Sequence, residues 1–170
     1  MLAKLHRTTG PRFGWHRDNW IGGTPQTNTW HDGWAGFFRE CRIEPQLALA
    51  RKNGYPLTFS SDLLRGHEPR PSLLHGDLWS GNAGFIDEGP VIFDPAVYYG
   101  DREADLAMTE LFGGFPLEFY AAYEKAYPLD AGYEQRKHLY NLYHLLNHLN
   151  LFGSGYLAQV ERTLGLLDAL

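Results

Sequence analysis

The segment Leu73-Leu74-His75-Gly76-Asp77-Leu78-Trp79-Ser80-Gly81-Asn82, with Asp94 twelve residues beyond its end, constrains this chain more than any other feature. Ala83 to Ile86 and Val91 to Phe93 are short apolar runs around Asp87-Glu88-Gly89-Pro90, a turn composition, so the stretch reads as a hairpin. With Ile86 opposite Val91, Ala83 faces Asp94, and Asn82 and Asp94 meet at the open end. An amide oxygen and a carboxylate held together there suit one hard cation, which prefers oxygen donors. Asp77 lies in the loop feeding the hairpin. Phosphoryl transfer uses this set of groups: one carboxylate orients an acceptor hydroxyl, while a carbonyl oxygen and a second carboxylate hold Mg²⁺ against the phosphates. Taken singly, Asp and Asn are ordinary turn residues. The constellation, not any one member, carries the reading.

A chain of 170 residues is long enough for one domain with its own core. Its net charge of −5 argues against a nucleic-acid backbone as partner, since that would want a basic face. The single Cys41 excludes an internal disulfide and fits a reducing, cytoplasmic compartment. No apolar run reaches the roughly 18 residues that a membrane span requires. Met1 to Arg7 is followed by no long apolar region and is not a signal peptide.

The remaining pattern is mostly helical. Leu2 to Arg7 looks like the last turns of a helix, which implies that something lies upstream. Phe13 to Asn28, rich in Gly, Pro, Asn and Trp, reads as an ordered loop. Asp32 can cap a helix carrying Trp34, Phe37, Phe38 and Cys41, and Pro45 can start another that ends near Gly54. Asp101 to Phe112, Pro116 to Tyr127, Tyr133 to Phe152 and Tyr156 to Leu170 are four further helices. The third carries an apolar stripe of Leu139, Leu142, Tyr143, Leu146 and Leu149. The expected fold class is mainly α (α+β), a single domain over residues 1–170 with one or two small β-hairpins.

Leu73 to Asn82, Val91-Ile92-Phe93-Asp94-Pro95-Ala96 and Tyr99 to Ala107 together resemble the fructosamine/ketosamine-3-kinase family, within the protein-kinase-like and aminoglycoside-phosphotransferase-like superfamily. The resemblance runs upstream through Asp18-Asn19-Trp20-Ile21-Gly22-Gly23-Thr24-Pro25-Gln26. Downstream it includes Phe112-Gly113-Gly114-Phe115-Pro116 and Tyr140 to Tyr156. It implies an ATP- and Mg²⁺-dependent kinase that phosphorylates a sugar hydroxyl of a ketosamine, on a small glycated amine or a glycated protein. Asp77 would be the catalytic base, and Asn82 and Asp94 the metal ligands. Gly76 stands where protein kinases have the Arg of His-Arg-Asp, and Asp94-Pro95 replaces Asp-Phe-Gly. No Gly-rich loop and strand lysine of the nucleotide-covering lobe can be placed in residues 1–170. The resemblance therefore implies the C-terminal lobe alone, inactive by itself and able to self-associate through the surface left by the other lobe.

Other residues have weaker claims. His144 and His148 lie four apart on one helix face with Asn141, a polar stripe suited to a substrate cleft, to a metal or to plain packing. Trp79 can wall a sugar site or anchor its loop; Trp15, Trp20 and Trp30 suit a core. His75 can orient the loop through a backbone hydrogen bond. Asp105 either braces that loop, as the resemblance suggests, or is a simple first-turn carboxylate. Rival functions are a choline or aminoglycoside kinase, a non-catalytic binding module, and a metal-dependent phosphohydrolase using His75, Asp77 and Asp94.

Overall fold

The computed structural model describes all 170 residues. Helix α1 (Leu2–His6) leads into a hairpin of β1 (Asn19–Ile21) and β2 (Thr24–Gln26). The loop expected over Phe13–Asn28 thus contains regular structure. Gly22 takes φ +56°, which lets two glycines reverse the chain. Pro25 is tolerated because a two-stranded sheet consists only of edges.

Helix α2 (Trp34–Phe38) runs without interruption through a π-helical turn (Arg39–Ile43) into α3 (Glu44–Lys52). Two helices separated at Pro45 were the expectation; one continuous run is found. Pro45 has no N–H for the Cys41 carbonyl one turn earlier, and its ring crowds that oxygen. The wider turn relieves the crowding, and Arg42 Nη1 donates to the Cys41 carbonyl at 2.9 Å. Asp32 does not cap this run. Gly33 is the N-cap, without a side-chain bond, and Asp32 pairs with Arg12 Nε at 2.6 Å.

Strands β3 (Ser72–Leu74), β4 (Ala83–Ile86), β5 (Gly89–Ile92) and β6 (Tyr98–Gly100) follow. β3 pairs antiparallel with β6, and β4 with β5. The β4–β5 register differs from expectation, with Ile86 opposite Gly89 and Ala83 opposite Ile92. The turn is only Asp87-Glu88, because Gly89 at φ +126° closes it two residues early. A shift of two preserves the face of every side chain. Asn82 then opposes Phe93, whose N–H donates to the Asn82 carbonyl at 3.1 Å, and Asp94 lies just past the open end.

Helices α4 (Glu103–Leu111), α5 (Leu117–Ala126), α6 (Tyr133–Phe152) and α7 (Leu157–Asp168) complete the chain. The result is the mainly helical α+β, kinase-like architecture. α6 packs on α3, α4 and α7, and its Leu142, Leu146 and Leu149 are fully buried. Each such leucine contributes about 1.5–3 kcal/mol of transfer free energy. Arg42 is equally buried and has no carboxylate partner. Its guanidinium lies 4.0 Å from the Tyr98 ring centre and 4.7 Å from that of Phe37, and donates to Thr27 O at 2.6 Å and Asn28 Oδ1 at 2.8 Å. Ring faces and neutral oxygens offset its desolvation in place of an anion.

Candidate active site

The β3–β6 pairing brings the start of the 75–82 loop beside the end of the 94–97 segment. Asp105, in the first turn of α4, fixes that loop from below. Its Oδ2 accepts the His75 N–H and its Oδ1 the Gly76 N–H, both at 2.8 Å. His6 Nε2 donates to the same Oδ2 at 3.1 Å. Tyr123 donates to His6 Nδ1 at 2.7 Å and accepts from Arg102 Nη1 at 3.3 Å. Burial alone would raise the Asp105 carboxyl; the hydrogen bond from His6, with the neighbouring His75 and the Gly76 N–H, outweighs it and holds it below the ordinary range.

His75 ties the loop to both sides of Asp94. Its Nε2 faces the Phe93 carbonyl at 2.8 Å and must donate, which leaves Nδ1 to accept the Asp77 N–H at 3.3 Å. Its own carbonyl accepts the Ala96 N–H at 2.8 Å. Gly76 has φ +82°, and a Cβ there would sit 2.1 Å from the Ala96 carbonyl oxygen. No side chain fits at this position, an arginine included.

Asp77 is half-buried, and its carboxyl is pushed above the ordinary range by that burial, against the opposing influence of His75, His148 and the Asn82 hydrogen bond. Asn82 Nδ2 donates to the Asp77 carbonyl at 2.9 Å and approaches its Oδ2 at 3.4 Å. The amide nitrogen is therefore turned inward and Oδ1 is left free. Asp94 is exposed, makes no hydrogen bond or ion pair, and is the only non-glycine residue at positive φ, +54°. Such a conformation persists where its surroundings enforce it. The backbone pairing of Asn82 with Phe93 puts a free amide oxygen and a free carboxylate on residues at one end of the hairpin, and oxygen donors of these two kinds suit Mg²⁺.

Several contributors escape a sequence reading. Asn19 Nδ2 donates to Val97 O at 2.7 Å, and Gln26 Nε2 to Ala96 O at 3.1 Å, so β1 and β2 grip the backbone just after Asp94. Tyr143 of α6 donates to Gln26 Oε1 at 2.7 Å. The available signal was polar Asn19 and Gln26 flanking a Gly-Gly turn, with nothing to say what they would meet.

α6 brings His144 under Asp77: the ring is buried and its Nδ1 is 3.9 Å from Asp77 Oδ1. His148 Nδ1 donates to the His144 carbonyl at 2.8 Å, so the two rings do not converge on a metal. Trp79 is 39% exposed, with its ring edge toward Phe112, which in turn packs on His148 at 4.7 Å. Trp20 is exposed in the middle of β1, opposite Pro25, not in a core. A cavity of about 660 Å³ lies between α2 and the 59–65 loop and is lined by none of Asp77, Asn82 or Asp94. His67, Asp101 and Glu103 also cluster, but His67 bonds Asp101 at 2.7 Å and Arg136 takes both Glu103 oxygens at 2.7 Å, which leaves no ligand free.

Residues 1–168 match the family model for fructosamine kinase. The chain belongs to the fructosamine kinase family. A probable ketoamine kinase of Synechocystis is 55% identical over 96% of this chain and 58% of its own length. One from Vibrio cholerae is 52% identical over 95% of this chain and 59% of its own. A crystal structure from Thermobifida fusca, of a protein designated a fructosamine-3-kinase, superposes with a TM-score of 0.90 at 37% identity. It aligns 99% of this chain with 62% of that one. The chain thus spans about three-fifths of the length of the family members it matches.

Two outcomes follow for stability. Asp105→Asn puts an amide N–H₂ against a backbone N–H, and a buried donor left unpaired costs about 1–3 kcal/mol; urea denaturation should show the loss. Burial pushes His144 down to about 3, with His148 and Arg42 adding to the effect and Asp105 opposing it. The folded state excludes a proton that the unfolded state binds near pH 6.5, so this contribution is complete above that pH. Stability should fall as pH is lowered from about 6.5 toward 3, less steeply in His144→Asn, by denaturation at stepped pH.

Proposed function

We propose that this chain is the acceptor- and metal-binding C-terminal lobe of an ATP-dependent kinase that phosphorylates a sugar hydroxyl of ketosamines, carried on small glycated amines or glycated proteins. The observation that carries the reading is the meeting of Asp77, free Asn82 Oδ1 and free Asp94 at one edge, fixed by two separate strand pairings. Asp77 holds the acceptor hydroxyl and takes its proton as that oxygen bonds to the terminal phosphorus of ATP and the bond from that phosphorus to the bridging oxygen breaks, which releases ADP. Asn82 and Asp94 would hold Mg²⁺, which when bound neutralises charge across the phosphates. Trp79 forms one wall of the acceptor site, and His144 lies at its base. Asp105, His75 and Gly76 keep the loop in place.

Choline or aminoglycoside acceptors are cationic and call for an acidic wall. The α6 face nearest Asp77 instead presents Asn141, His144 and His148, which supports a polyhydroxyl acceptor. A cytoplasmic setting is consistent with the free Cys41, and no helix is long and apolar enough to cross a membrane. The exposed Phe85, Ile86 and Phe93 beside the metal-binding edge are the surface on which a nucleotide-covering lobe, or a second copy, would rest.

In the protein extended to the length of its relatives, Asp77→Asn should lower kcat by about 10²–10⁴ with folding intact, since that is what a positioned base contributes. Near-normal turnover in that variant would remove Asp77 from the mechanism. Asp94→Ala should abolish Mg²⁺-dependent ATP binding, read by calorimetry with and without metal. The 170-residue chain by itself should transfer no phosphate from Mg-ATP to a fructosamine at a useful rate. Residues 1–170 contain no Gly-rich loop and strand lysine to cradle the phosphates, and one such electrostatic donor is typically worth about 10²–10³ in rate. Phosphate incorporation within tenfold of the longer protein would overturn this assignment of lobes.

A further inference from the structure

Buried polar side-chain atoms in this fold are almost all paired, and only four lack a partner. Two of the four, Asn141 Oδ1 and His144 Nδ1, sit three residues apart on one face of α6. Unpartnered buried groups call for a physical explanation. His144 is enclosed, and the group its Nδ1 faces is the Asp77 carboxylate, Oδ1 at 3.9 Å. That separation exceeds a hydrogen bond. Catalytic hydrogen bonds are commonly this loose before the substrate arrives, and tighten in the complex.

We infer that His144 is a positioning residue for Asp77: its neutral ring carries the proton on Nδ1, aimed at Asp77 Oδ1, and turns the carboxylate so that its other oxygen meets the acceptor hydroxyl. The inference rests on the reading of Asp77 as the acceptor-orienting carboxylate. The tautomer follows from electrostatics. A bare Nδ1 would set its lone pair against those of a carboxylate in a poorly solvated site, whereas an N–H there is attracted. The neighbouring bond agrees in geometry, since His148 donates to the His144 carbonyl and holds that turn of α6 in place without using the His144 ring. Neutrality has a chemical use. A full positive charge 3.9 Å from Asp77 would stabilise the carboxylate and weaken it as a proton acceptor, while an N–H dipole orients it at a smaller cost in basicity. The burial that keeps His144 uncharged and the burial that raises Asp77 act in the same sense.

The test has a spectroscopic and a kinetic part. Long-range ¹H–¹⁵N correlation on this chain near neutral pH, with His144 assigned by its loss in His144→Asn, should report the Nδ1–H tautomer. An Nε2–H tautomer or an imidazolium at position 144 would overturn the inference, and this readout needs no catalytic activity. In the full-length protein, His144→Phe and His144→Gln should lower kcat by up to about 10² with KM for ATP unchanged, as expected of a misplaced reacting group. His144→Asn should recover most of it, because the Asn amide places an N–H near the position of Nδ1. Wild-type kcat in His144→Phe, or equal loss in the Asn and Phe variants at matched melting temperature, would also overturn it. A full-length protein inactive on every ketosamine would count against the proposed function instead, and the tautomer would then decide the geometry on its own.

Discussion

Everything at the candidate site hangs from one carboxylate. Asp105 accepts two consecutive backbone N–H groups, from His75 and Gly76, and a third bond from His6. A loop that must bring Asp77 and Asn82 to a surface cannot satisfy its own backbone, because the residues doing so are not in a ladder. Asp105 supplies the missing acceptors from inside a helix, so the loop takes on the rigidity of α4. The chain of donors behind it, Arg102 to Tyr123 to His6, spreads the charge across α5 and α1. Three elements distant in sequence therefore share the cost of burying one anion, and the loop geometry is coupled to their packing.

A second constraint acts from the opposite side. Asp94 occupies a backbone region that non-glycine residues seldom enter, and nothing bonded to its own side chain keeps it there. The restraint comes from neighbours: His75 holds Phe93 O and Ala96 N, Gln26 holds Ala96 O, and Asn19 holds Val97 O. Gln26 and Asn19 are in turn fixed by Tyr143 and Asn28, and Asn28 by the caged Arg42. The π-helical turn before Pro45 is thus connected to the segment after Asp94 by an unbroken hydrogen-bonded path. This accounts for a costly, unpaired buried cation far from solvent: it terminates a network of neutral amides that no carboxylate could end without reversing its donor direction.

How much of this could be read from the chain depended on the range of the interaction. Helices α4 to α7 were legible because their apolar positions repeat at helical spacing, and Tyr133–Phe152 was predicted to the residue. Asp77, Asn82 and Asp94 were legible as a group because one short hairpin joins them, even though its register was off by two. The β3–β6 pairing was not, since three-residue strands separated by a whole hairpin carry no periodic signal. Nor was the continuity of α2 into α3, where Pro45 signals a helix start and only the tertiary cage around Arg42 favours a widened turn. Asn19 and Gln26 look like loop polars until the backbone they bind is in place.

The two exposed-edge carboxylates end up in unlike surroundings, and that difference is the chemical content of the site. Asp77 is half-buried among neutral partners: the Nδ1 acceptor tautomer of His75 at its N–H, the Asn82 amide at its oxygens, and the enclosed His144 beneath. None of these places a permanent charge against it, so burial keeps the carboxylate basic while the donors fix its direction. Asp94 stands in solvent with both oxygens free. Topology makes the difference: Asp77 precedes the hairpin and faces α6, whereas Asp94 follows it and faces outward.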